Sequence, residues 1–380
     1  MLFIRNGRIR TMAGPDIENG CILIGDDGKI VSVGCDITPP SAARVIDAGG
    51  RLVTPGCVEA HCHIGMSNPT PEVGDHNEKT DPITPQMRVI DGFNPNHKQL
   101  KIAAQSGITT VCTGPGSANI IGGTFGAFKT AGSRADDMVV KHPIAMKCAF
   151  GYNPKKVYGG MNKAPYTRMG TAALLRDFLQ KCKHYLEAKE NGNPLSYDSK
   201  MEAMIPVLKK EIPLKAHAHR TDDIFTAIRI AREFDLRMTI DHCTDGHLIA
   251  DALAKEGFPV LAGPAFYVAQ KSEVQNVSFS TPAVLHNVGV SVSIITDASV
   301  TPIRYLPLCA GLAVAEGLPL EEGWKAITIN PATHTGIADR VGSLEPGKDG
   351  DVVIWTADPL IHIGGKAYTT IINGNVEWQA

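Results

Sequence analysis

Three short apolar runs in the second half of the chain end in a metal-ligand type of residue or lead into a helical pattern, and this order limits the fold more than any other feature. Leu214 to Ala216 reads as a buried strand running into His217. Thr221 is a candidate N-cap for a helix over Asp222 to Phe234, where Ile224, Ile228, Ala231 and Phe234 share one stripe. A second strand, Arg237 to Asp241, ends in His242; Asp245 and Gly246 open a helix over His247 to Glu256 that Gly257 stops, and Phe258 to Ala262 is a third strand. Repetition of strand, ligand and helix predicts an α/β chain with a parallel (β/α)8 TIM-like barrel. In such a barrel the C-terminal strand ends converge on one face, so ligands far apart in sequence meet in space.

Two further segments fit the same scheme. His61-Cys62-His63 follows the run Arg51 to Ala60, and alternate residues of an extended chain share a face, so the two imidazoles can grip one ion. Ile294-Ile-Thr-Asp297 ends another β-prone run in a carboxylate. Imidazole and carboxylate suit zinc and similar borderline ions. His61, His63 and Asp297 are therefore expected at one metal and His217 and His242 at a second. His219 shares the face of His217 and is a candidate for contacting substrate, or else an ordinary core histidine.

With 380 residues, 43% hydrophobic and 20% charged, the chain can bury one barrel core and an accessory unit. A formal charge of −2 argues against a dedicated nucleic-acid binder. No run reaches membrane-spanning length and Met1-Leu-Phe-Ile-Arg lacks the form of a secretory signal, so no membrane partner and a cytoplasmic location are expected. Nine scattered cysteines read as reduced core thiols. Gly114-Pro-Gly116 and Gly122-Gly123-Thr-Phe-Gly126 lack the lysine and hydroxyl of a phosphate loop and read as an irregular turn after a strand over Thr109 to Thr113. Nor is there a Gly-x-Ser-x-Gly elbow for serine hydrolysis. Two long polar stretches, Gly65 to Asn96 and Gly151 to Gly170, read as loops over the barrel mouth.

Pro55-Gly56 leading to His61 and His63, Lys147 within Ala145-Met-Lys-Cys-Ala149, His217, His242, and Asp297 within Ile295-Thr-Asp297 together resemble the metal-dependent amidohydrolase superfamily, in particular its imidazolonepropionase-like and dipeptidase-like members. Asn330-Pro-Ala-Thr333 and the stretch Gly342 to Ile354 are similar to that family's closing signature. The resemblance implies that the alternating runs at both ends, residues 1–54 and 340–380, pair into one small β-sandwich around a barrel formed by residues 55–339. It also implies one or two divalent ions, zinc expected, and a carboxylated Lys147 bridging them. Read without the resemblance, Lys147 can equally be a buried lysine paired with an acid.

The implied activity is hydrolysis of an amide-type C–N bond of a small molecule by metal-activated hydroxide. Asp297 would act as general base and acid, and His242 would polarise the carbonyl if only one ion is present. An N-acyl amino acid or dipeptide is the favoured substrate, its carboxylate held by Arg168, Arg220 or Arg304. A cyclic amidase of imidazolonepropionase or hydantoinase type, an aminopurine-type deaminase, and a catalytically silent assembly protein on the same fold are the alternatives. The resemblance also allows a homo-oligomer.

Overall fold

The computed structural model describes residues 1–67, 74–266 and 271–380. Five strands open the chain: β1 (Leu2–Ile9), β2 (Ile17–Ile24), β3 (Ile30–Gly34), β4 (Arg44–Asp47) and β5 (Leu52–Pro55). Eight more follow, β6 (Cys57–Cys62), β7 (Ile108–Thr113), β8 (Ile121–Lys129), β9 (Val139–Ala149), β10 (Leu214–Ala218), β11 (Met238–His242), β12 (Val260–Ala262) and β13 (Val292–Ile294). The last three are β14 (Val352–Trp355), β15 (Ala367–Ile372) and β16 (Asn375–Gln379).

Hydrogen bonding joins the two ends of the chain in a single sheet, ordered β16-β15-β14-β5-β1-β2-β3 with β4 beside β1. β5 and β14 pair antiparallel, with Pro55 opposite Val352 and Val53 opposite Ile354. Ile4, Ile9, Ile22, Ile24, Val53, Ile354 and Ile371 supply its apolar core. Gly56 alone separates β5 from β6, the first strand of the other sheet, and its N–H donates to the Asp351 carbonyl at 3.0 Å.

The second sheet is the barrel wall, ordered β13-β12-β11-β10-β9-β8-β7-β6. Its seam is closed by a buried carboxylate: Glu59 on β6 accepts the Thr296 N–H at 2.9 Å and hydroxyl at 2.5 Å, and with its other oxygen the His61 N–H at 2.9 Å. Burial pushes the Glu59 carboxyl up to about 7, against these hydrogen bonds. Helices Arg168–Glu190, Thr221–Glu233 and Leu306–Ala315 flank the wall, and the helix Thr221–Glu233 turns Ile224, Ala227, Ile228 and Ala231 inward.

The wall departs from the expected all-parallel arrangement at one strand. β8 runs antiparallel to both β7 and β9, and it is made from the glycine-rich stretch expected to be a turn. Glycine is there for close approach. Gly123 has φ +123°, and a Cβ on it would lie 2.5 Å from the Met87 carbonyl oxygen.

Local expectations are adjusted in three places. Thr221 is the first residue of its helix, with Arg220 in the cap position. The helix expected over His247 to Glu256 begins as a 3-10 turn, Gly246–Leu248, before Ala250–Glu256. The stretch from Gly151 to Gly170 is not one loop: Tyr152–Gly159 is helical and Arg168 starts a helix. Of the other long stretch, residues 68–73 lie outside the described residues, while Ile83 and Arg88 bridge to Ile121 and Thr124 on β8. All nine cysteines are free, and all but Cys35 are buried. Among the described residues no helix is long and apolar enough to cross a membrane.

Candidate metal centre and active site

The strand ends gather the expected side chains into two facing groups. His61 on β6 and His63 just after it meet Asp297, which follows β13, and their ligand atoms all lie within 4.8 Å of one another. His217 and His219 from the end of β10 meet His242 from the end of β11 at the same spacing. His61 and His242, one from each group, have ring centroids 5.0 Å apart. His219, expected beside the ligands as a substrate contact or an ordinary core histidine, has its ring stacked on His242 at 4.7 Å and edge-on to His217 at 4.6 Å, as a third member of that group.

Backbone conformation aims these groups. His242 (φ +72°) and Asp297 (φ +49°) both adopt the left-handed region that non-glycine residues avoid. Such conformations cost on the order of 1–3 kcal/mol and persist where the surroundings fix them, commonly at functional sites.

Partners on the outer nitrogens set the tautomers. The Nδ1–H groups of His63 and His242 donate to the Gly114 and Gly263 carbonyls, both at 2.8 Å, so each Nε2 carries a lone pair. His61 donates from Nδ1 to Asp241 at 2.5 Å. Two of the inward atoms then lack partners of opposite character. His63 Nε2 faces an Asp297 oxygen at 3.2 Å, acceptor against acceptor, and among the described residues that oxygen and His242 Nε2, both buried, have no hydrogen-bond partner. A divalent cation satisfies both groups, so the residues fit a metal site. Burial and neighbouring cationic groups hold His61, His217 and His242 well below the ordinary imidazole value, and burial brings His219 down to about 3, which keeps these rings neutral and able to ligate.

Lys147, on β9, is fully buried with Nζ 3.0 Å from His61 Nε2, and burial lowers it to about 8. Among the described residues no acid pairs with it directly. The sequence reading missed its neighbour. Lys215 stands opposite Lys147 in the β9–β10 register, is equally buried, and pairs with Asp241 at 3.0 Å. Asp241 therefore joins a lysine to the Nδ1 of His61, and only the alternation of β10 and β11 could have hinted at it.

Above the groups lies a cavity of about 260 Å³, whose floor includes His63, His217, His219 and Asp297. Asn153 and Ser117 form one wall, with Asn153 donating to the Ser117 hydroxyl at 2.7 Å. His76 and Lys271 line it as well; neither has a ligand spacing that sequence alone could signal. The three expected arginines are elsewhere engaged. Arg168 donates to both oxygens of Asp223 at 3.0 and 3.1 Å, Arg220 forks onto Asp222 at 3.0 Å, and Arg304 lies against the Tyr305 ring. None of them is among the residues lining the cavity, because each guanidinium is already satisfied or turned aside.

Known proteins share this fold. Residues 52–376 match the profile of the amidohydrolase family. The chain is similar to amidohydrolase tasK of Hapsidospora irregularis, 28% identical over 371 residues, a match that covers 90% of this chain but only 38% of that longer protein. It is similar to an imidazolonepropionase of Rhizobium rhizogenes, 24% identical over 378 residues and covering 91% of this chain and 89% of that one. The solved structure of an amidohydrolase from Thermotoga maritima MSB8 superposes with a TM-score of 0.95 at 36% identity over 100% of both chains. The chain thus belongs to the amidohydrolase family, hydrolases that act on carbon–nitrogen bonds.

Proposed function

We propose that this site hydrolyses an amide-type C–N bond of a small molecule, with an N-acyl amino acid or dipeptide as the favoured class. The observation that carries the reading is the orphaned Asp297 oxygen, held 3.2 Å from His63 Nε2 at the floor of a polar cavity. His61, His63 and Asp297 would hold one divalent ion and His217, His219 and His242 another, zinc being the expected metal. When bound, such an ion lowers the pKa of water and polarises a carbonyl oxygen. Asp297 would take the proton of the attacking water and return it to the departing nitrogen. His242, fixed by Gly263, and His219, fixed by Thr244, would each present Nε2 to that second ion, which sets where the carbonyl is polarised. Lys147, a cation beside candidate ligands, would oppose metal binding unless its neutral amine adds to carbon dioxide, forming an N–C bond and releasing one N–H proton to solvent; the resulting carbamate would offer anionic oxygen ligands in place of the ammonium.

A cyclic amide is the second reading, favoured by the similarity to proteins named imidazolonepropionase. Elemental analysis of protein purified without chelator, run beside a panel of dipeptides, N-acyl amino acids and cyclic amides, tests both readings. At least one equivalent of a divalent metal and activity on the open-chain members are expected. Less than about half an equivalent of any transition metal would overturn the metal centre. Turnover confined to rings would transfer the function to the second reading.

A further inference from the structure

The cavity needs a cation to select a carboxylate, and the arginines do not provide it. Lys271 lines the same cavity as His63, His217 and Asp297, with its side chain largely shielded from solvent. Its ammonium donates to Glu273 Oε1 at 3.3 Å, which leaves further N–H donors unused by that bond. Glu273 is buried, and a buried carboxylate is costly unless bonded on several sides. Here its Oε2 accepts the Tyr152 N–H at 2.8 Å, and its Oε1 lies 3.9 Å from His219 Nε2. Gly151, at φ +83°, makes room: a Cβ there would come within 2.7 Å of Glu273 Oε2. The carboxylate thus holds a lysine at the wall of the cavity that the histidine groups also line.

We propose that Lys271, positioned by Glu273, is the specificity-determining residue that binds the free carboxylate of the substrate. The inference rests on the open-chain amide reading above and adds to it where the anionic end sits. The carboxylate replaces water on the ammonium while the amide carbonyl lies over the histidine groups. A neutral C-terminal amide of the same substrate would lose the charge-assisted bond but keep every other contact.

The experiment measures kcat/KM for N-acetyl amino acids and dipeptides, each paired with its C-terminal amide, on wild-type enzyme, K271M and K271R, with metal content determined for each. Wild type is expected to favour the acid of each pair by on the order of ten- to a hundredfold. K271M should lose that preference mainly through KM, with metal content and activity on the amides retained, and K271R should recover part of it. Calorimetric titration with the free amino acid released from the preferred substrate should show the same weakening in K271M without turnover. An acid preference that survives in K271M, or a wild-type enzyme indifferent to the pair, overturns the role of Lys271 and leaves the reaction assignment standing. If wild type cleaves no open-chain member but does open cyclic amides, the reaction assignment itself falls, and this inference with it.

Discussion

At the scale of single residues the site is governed by which atoms lack partners. Among the described residues Asp297 keeps one buried oxygen without a partner, as does His242 at Nε2, so the value of Asp297 lies in the proton or ion that it receives. Asp297→Asn removes the base while keeping the size and one oxygen; turnover should fall by roughly 10²–10⁴-fold with the fold retained, as steady-state rates and circular dichroism together would show. Metal content measured on the same samples separates loss of the base from loss of the ion. Near wild-type turnover would remove Asp297 from the role. The ligand types at strand ends were legible because period-two spacing puts His61 beside His63 and His217 beside His219. What could not be read were pairings across strands. Lys215 meets Asp241, and Arg168 meets Asp223, only because the barrel sets their elements side by side.

At the scale of elements, strands ending in ligands were placed closely, while β8 was read as a turn. Glycine is depleted in strands, so a run with Gly122, Gly123 and Gly126 argues locally against one. Tertiary crowding gives those glycines their reason, since the backbone near Met87 crosses β8 too closely for a side chain. The Thr124 N–H also donates to the Met87 carbonyl at 2.9 Å, which fixes that approach. Gly123→Ala should therefore destabilise by about 1–3 kcal/mol through overpacking and a strained φ, read as a lower urea midpoint with unchanged slope. An unchanged midpoint would mean that the crossing can relax. The helix Tyr152–Gly159 was missed for a related reason: its apolar positions are few, and it is held by docking on the barrel mouth, where Tyr158 is fully buried.

At the scale of the whole molecule, many buried imidazoles make stability sensitive to acid. His334 bridges the Ser291 and Ser293 hydroxyls, both at 2.8 Å, and burial lowers it to about 4; His76 is likewise held at about 4 and His219 at about 3. Each has a folded-state value below its unfolded one, so the unfolded chain binds more protons. Stability is then full above about pH 6.5 and declines as the pH falls through the folded values near 4 and 3. His334 lies outside the two metal groups and alone should account for up to roughly 3 kcal/mol of this loss. Urea midpoints measured from pH 7 to pH 4 should fall steadily, and His334→Gln should flatten the lower part of that curve. A curve of the same steepness in the variant would assign the acid sensitivity elsewhere. A different large-scale consequence comes from the sheet that both chain ends share. During synthesis, β5 leaves the ribosome long before β14 exists to pair with it, so one edge of the first five strands waits unprotected while the entire barrel is made. That waiting edge is open to pairing with another chain until Val352 to Trp355 emerge to cover it.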